Sequence, residues 1–175
     1  MKSIIAHGAR AIALSVAATG AFAQDTTNRV AAKTDWSVFV ESSPTECWAV
    51  SKPKETVNTK GGRTVAVNRG NILLMVSYRP DQNVSGEVYF TGGYPFANGS
   101  SVSLKIGDTT FELFTQGEDA WPASASDDSK IITAMKRGAD AVLVANSSRG
   151  TRTQDTFSLL GFTAAVEEAA KRCGS

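Results

Sequence analysis

Eight short runs rich in β-branched and aromatic residues punctuate the chain, at 36–41, 47–51, 72–78, 87–91, 102–106, 110–114, 141–145 and 156–160. Each is bounded by Gly, Pro, Asn, Asp or Ser, residues that end strands and form turns. The pattern predicts a mainly β domain of antiparallel, β-sandwich-like sheets. One hairpin can be read residue by residue: Val102, Leu104 and Ile106 alternate with Ser103 and Lys105, the turn is Gly107-Asp108, and Phe111 and Leu113 alternate with Thr110 and Glu112. Such alternation gives one buried face and one wet face.

Two segments leave the period of two. Over 127–137, Asp127 and Asp128 precede Ile131, Ile132 and Met135, then Lys136 and Arg137, with Gly138 just beyond. Acid at the start and base at the end suit a short helix dipole, and the apolar trio would lie on the sheet. Over 162–173, Phe162, Val166, Ala169, Ala170 and Cys173 fall on one helical stripe. Glu167 and Lys171, and Glu168 and Arg172, stand at i,i+4 spacing on its wet side.

The chain has two cysteines, Cys47 in a predicted strand and Cys173 on the helical stripe. In an oxidising compartment such a pair is expected to form a disulfide that pins the last helix to the sheet. Closing so long a loop is worth on the order of 5 kcal/mol in the chain-entropy model. Two unpaired buried thiols are the alternative, since spacing alone does not bring the Cα atoms into range.

The oxidising compartment follows from the N-terminus. Lys2 and Arg10 precede the apolar stretch 11–18, and Ala21-Phe22-Ala23 is a small-x-small cleavage signal before Gln24. Residues 1–23 are therefore expected to be a cleaved signal peptide, 24–34 a flexible leader, and 35–175 a single domain. An uncleaved anchor is disfavoured because Arg10 interrupts the roughly 20 apolar residues a spanning helix needs. Cleavage would also remove His7, the one histidine in the sequence. Of the 18 basic residues, Lys2 and Arg10 leave with it, so 16 face 17 acidic ones. That balance offers no electrostatic footprint for nucleic acid. No zinc ligand set and no other metal or cofactor motif is expected.

The runs ECWAVS from Glu46, RGNILLMVSYRP from Arg69, GYPFANGS from Gly93, FELFTQGEDAWPA from Phe111, AMKRGADAV from Ala134 and SSRGTRTQDTFSLLGFTAA from Ser147 resemble the invasion-associated locus B family of secreted bacterial proteins. The resemblance spans Trp36 to Cys173. It implies an exported, β-rich cell-envelope protein of alphaproteobacterial type, in a family named for members linked to host-cell invasion and not for a reaction. Many members carry a second cysteine pair in the region of 111–121, which this chain lacks.

Candidate chemistry is sparse. Without histidine, Ser-His-Asp and Cys-His systems have no general base. Ser51-Lys52-Pro53-Lys54 fits S-x-x-K, but Ser51 ends a strand where that motif opens a helix. Glu118 and Asp119 stand near Trp121, where an aromatic wall could raise a carboxyl pKa, although Gly-Glu-Asp between apolar runs also reads as a solvated turn. Two loops suit recognition better: Tyr94-Pro95-Phe96, and Arg149-Gly150-Thr151-Arg152 with its two guanidinium groups. Tyr94 and Phe96 could equally plug the sheet core. The expectation is thus a non-catalytic envelope protein that binds a protein or cell-wall component through Tyr94, Phe96, Trp121, Arg149 or Arg152. The alternative is a periplasmic hydrolase using Glu118 and Asp119 or the Ser51/Lys54 pair.

Overall fold

The structure, a computed structural model, describes residues 28–174. The expected signal peptide, the Ala23/Gln24 junction and leader residues 24–27 lie outside them. Twelve strands occur among the described residues: β1 (Arg29–Lys33), β2 (Trp36–Ser42), β3 (Thr45–Ser51), β4 (Glu55–Lys60), β5 (Arg63–Thr64), β6 (Leu73–Arg79), β7 (Val84–Thr91), β8 (Ser101–Ile106), β9 (Thr109–Gln116), β10 (Asp119–Trp121), β11 (Asp140–Asn146) and β12 (Arg152–Ser158). Helix α1 (Ala125–Met135) precedes β11, and α2 (Phe162–Arg172) follows β12.

All pairings are antiparallel, in the order β1-β2-β3-β6-β7-β10-β9-β8-β11-β12-β4-β5. The two layers expected of a sandwich are therefore halves of one sheet. They face each other: Phe90 of β7 meets Phe157 of β12 edge-on at 6.2 Å, and the Trp36 indole of β2 donates to the Ser158 carbonyl at 2.9 Å. Neither pair of strands is adjacent in the sheet. The predicted hairpin is β8–β9, with Leu104 opposite Phe111 and Val102 opposite Leu113.

Several local expectations are corrected. Residues 29–33 belong to no flexible leader; they form β1, held by ladder hydrogen bonds to β2 that a run of mostly small and charged residues does not advertise. Strands β4 and β5 were not anticipated either, because their composition is polar, as suits the exposed edge of a sheet. Strand β12 starts at Arg152 and ends at Ser158, displaced from 156–160, because its register with β11 pairs Arg152 with Asn146.

Helix α1 begins at Ala125, two residues earlier than predicted, with the Ser124 side chain capping the Asp127 N–H at 3.3 Å. Its place follows from the shortness of β10, which pairs with β7 only at Phe90 and Thr91. The Val88 N–H farther along that edge donates instead to the Asp128 carboxylate at 2.7 Å. Ile131 and Met135 then bury completely against the core.

Helix α2 packs on β1, β2, β3 and β6 through Phe162, Ala165, Val166 and Ala169. Phe162 meets Trp36 edge-on at 4.9 Å. Cys173 caps the helix and is bonded to Cys47 of β3. Glu168 pairs with Arg172 at 2.8 Å as its spacing suggested. Glu167 does not take Lys171; it reaches Lys136 just after α1 at 3.3 Å, so the two helices are tied together.

Candidate functional site

Three loops distant in sequence meet at one end of the sheet. The contact begins with two glycines: Gly93 has φ +69°, and a Cβ on it would lie 2.8 Å from the Gly70 backbone. That absence of side chains lets the Gly70 N–H donate to the Gly93 carbonyl at 2.8 Å, joining the 66–70 loop to the 93–97 loop. The third loop is stitched on by backbone. Ser148 N–H donates to the Pro95 carbonyl and Ala97 N–H to the Asn146 carbonyl, both at 2.9 Å. Within that loop Thr151 N–H donates to the Ser147 hydroxyl at 3.0 Å.

Below the loops lies a buried ion pair. The Arg69 guanidinium donates twice to Asp155 of β12, at 2.7 and 2.6 Å, and the two side chains are 6% and 0% exposed. Arg69 also donates to the Gly92 carbonyl at 2.9 Å and lies 4.9 Å over the Tyr94 ring. The Tyr94 hydroxyl meets the Thr153 hydroxyl at 2.5 Å. Burial raises the Tyr94 pKa above the ordinary phenol value, which keeps it a neutral hydrogen-bonding group. Burial also pushes the Asp155 carboxyl upward, against the opposing pull of Arg69. An ion pair that has lost its water needs such further bonds to be tolerated. Among the described residues no buried side-chain polar atom is left without a partner.

Above this floor is a cleft of about 530 Å³, lined by Asn68, Tyr94, Glu118, Ser147, Ser148, Arg149 and Thr151 among others. Its lining mixes polar and apolar surface, the polar part offering hydroxyls, an amide, one carboxylate and one exposed guanidinium. Tyr94 and Arg149, both singled out in the sequence, come together here. Phe96 does not line it: 4% exposed, it packs on Tyr94 at 5.1 Å and Phe90 at 6.2 Å and plugs the core beneath. Arg152 lies outside it, exposed on β12 opposite Thr59, so the two arginines do not form one grip. Trp121 lines a separate hollow of about 580 Å³ with Phe114 and Glu87.

The residues considered for catalysis are placed apart. Glu118 lines the cleft, whereas Asp119 opens β10, so only Gly117-Glu118 is the turn; Asp119 faces the Tyr89 hydroxyl, whose pKa burial and Asp119 together raise. Ser51 is 4% exposed and donates to the Asp35 carbonyl at 2.7 Å. Lys54 pairs with the Asp35 carboxylate, whose pKa that bond lowers. No hydrogen bond links Ser51 to Lys54, so the lysine is not placed to take the serine proton. Among the described residues no cluster of His, Cys, Asp or Glu could hold a metal ion, and no helix is long and apolar enough to cross a membrane.

Arg69 and Asp155 escaped the sequence reading, although a signal existed. Thr153, Asp155 and Phe157 share the inward face of β12, and an inward aspartate requires a cationic partner.

Comparison with known proteins agrees with this architecture. The family described as "Invasion associated locus B (IalB) protein" matches residues 36–170. The crystal structure of invasion associated protein B from Bartonella henselae superposes with a TM-score of 0.56 at 15% identity, covering 81% of this chain and 95% of that one. No curated protein matches the sequence.

Proposed function

For this chain, which belongs to the invasion-associated locus B family, we propose the role of an exported, non-catalytic binding protein of the cell envelope. The observation that carries the reading is the convergence of three sequence-distant loops on one cleft of mixed polar and apolar lining, braced from below by the Arg69–Asp155 pair. Loops on a rigid scaffold are the usual place for recognition. Arg149 and Glu118, both in the lining, offer opposite charges, and Asn68, Ser147 and Thr151 offer hydrogen bonds, a set suited to a polar peptide segment or a hydroxylated wall component. The dispersal of Ser51, Lys54, Glu118 and Asp119 over different contacts gives the hydrolase alternative no support.

Export accords with the Ala21-Phe22-Ala23 signal and with a disulfide, which persists outside the reducing cytoplasm. The word invasion belongs to the relatives, and nothing on this surface requires a host cell.

The test is affinity capture from envelope extracts with the mature protein beginning at Gln24, beside Arg149→Glu and Asn68→Ala variants. A species held by the parent protein and lost with both variants supports the proposal. Capture indifferent to both substitutions would place recognition elsewhere.

A further inference from the structure

One wall of the loop cleft is a stretch of main chain without a partner. Between β5 and β6 the chain runs through 65–72 with no turn or bend, so it is extended. It is anchored where the Val65 N–H donates to the Asn58 carbonyl at 2.9 Å and the Gly70 N–H donates to the Gly93 carbonyl at 2.8 Å. Between these anchors no hydrogen bond joins the backbone of Ala66, Val67, Asn68 or Arg69 to another described residue. Where β7 is left open beyond the short β10, by contrast, the Asp128 carboxylate takes the Val88 N–H.

Successive side chains of an extended run point to opposite sides. All four residues of 66–69 nevertheless border the cleft, so it is their shared main chain that faces it. At about 3.3 Å per residue this is a row of N–H and C=O groups about 13 Å long. Such an unpaired row is a template for another strand. The side chains around it are also free to select a partner. Arg149 and Glu118, both in the lining, make no ion pair among the described residues. Val67, 39% exposed, and Pro95 add apolar surface.

We infer that the cleft takes its partner as an extended peptide segment, which adds a strand along 66–69. A second peptide backbone carries complementary donors and acceptors at the spacing this wall offers, a repeat that the hydroxyls of a glycan lack. Main-chain bonds supply affinity, while Arg149, Glu118 and Val67 discriminate among side chains. The inference rests on the cleft being the recognition site and adds the class of partner and its mode of binding.

Random short peptides displayed on phage, screened against the mature protein beside a chito-oligosaccharide as the glycan probe, test it. Peptides are expected to be enriched, and to lose binding to the Arg149→Glu variant. In a selected peptide, N-methylation of alternate residues should weaken binding roughly tenfold at each site, and of the intervening residues little. These peptides meet the unaltered protein, so no folding defect enters. On the protein side, Val67→Pro or Asn68→Pro, whichever removes the N–H that faces the cleft, should weaken binding roughly tenfold relative to alanine at the same position, because proline suits an extended run but donates no bond. No enrichment, peptides indifferent to N-methylation at every position, or the chito-oligosaccharide bound in place of peptides would overturn the inference. If envelope capture is still lost with Arg149→Glu and Asn68→Ala in that case, the cleft stands as the recognition site and only the strand-adding mode falls; if capture is indifferent as well, both fall.

Discussion

Replacing Asp155 by Asn should be among the most damaging conservative changes in this protein. The substitution keeps the shape but removes the charge opposite Arg69, whose side chain is 6% exposed and cannot recover water without local unfolding. Breaking one side of a buried ion pair costs about 3–5 kcal/mol, because the surviving charge stays desolvated. A domain of this size has about 5–15 kcal/mol of stability in all. With a urea dependence near 2 kcal/mol per molar, the unfolding midpoint should fall by about 1.5–2.5 M. Replacing both partners, as Arg69→Met with Asp155→Leu, leaves no stranded charge. It orphans the Gly92 carbonyl that Arg69 also serves, costing about 1–3 kcal/mol, while the partly exposed Asn58 amide, held by Arg69 only at 3.4 Å, can turn to water. The double variant should therefore be more stable than Asp155→Asn alone. Urea titrations followed by tryptophan fluorescence measure all of this. A loss below about 1 kcal/mol for Asp155→Asn, or a double variant worse than the single, would refute the view of Arg69 as a buried, dependent charge.

Four further outcomes are expected. Reducing the Cys47–Cys173 bridge, or making Cys173→Ser, should lower stability by a few kcal/mol and expose α2 first in hydrogen exchange, while native protein shows no titratable thiol; unchanged stability on reduction would contradict this. Gly161→Ala should destabilise severely, since φ is +89° and the new Cβ would sit 1.9 Å from the Lys33 carbonyl oxygen; an unaltered thermal midpoint would contradict it. Burial lifts the Asp128 pKa, with Glu87 and Asp127 adding to it, so the folded state holds that proton more tightly than the unfolded one. Stability from this group therefore grows as pH falls through its folded pKa, and the advantage of the parent over Asp128→Asn should widen from pH 7 toward pH 4; a gap that narrows has the wrong sign. Purified mature protein should turn over no ester, peptide, β-lactam or glycan substrate, and activity abolished by Ser51→Ala or Glu118→Gln would reverse the non-catalytic reading.

What could be read from the sequence is what rests on local periodicity. The β8–β9 hairpin and the apolar stripe of α2 announce themselves because alternate residues, or every third and fourth, are large and apolar. Strands β1, β4 and β5 do not, because neighbouring backbone and not apolar content fixes them. The union of both layers into one sheet depends on pairings such as β8 with β11 and β12 with β4, which no local pattern encodes. At the cleft, Tyr94 and Arg149 were visible as loop residues of unusual type. Phe96 proved to be the plug beneath them, and Arg152 belongs to the opposite face of its strand. Arg69 stayed hidden because its role depends on Asp155, 86 positions away.

The most direct test of the binding role is hydrogen exchange on the mature protein with and without the species it captures from the envelope. Recognition through the braced cleft predicts new protection at 66–70, 93–97 and 147–151, with the outer face of β2, β3 and β6 unchanged between the two conditions. Protection confined to that outer face, or none at the three loops, would contradict it.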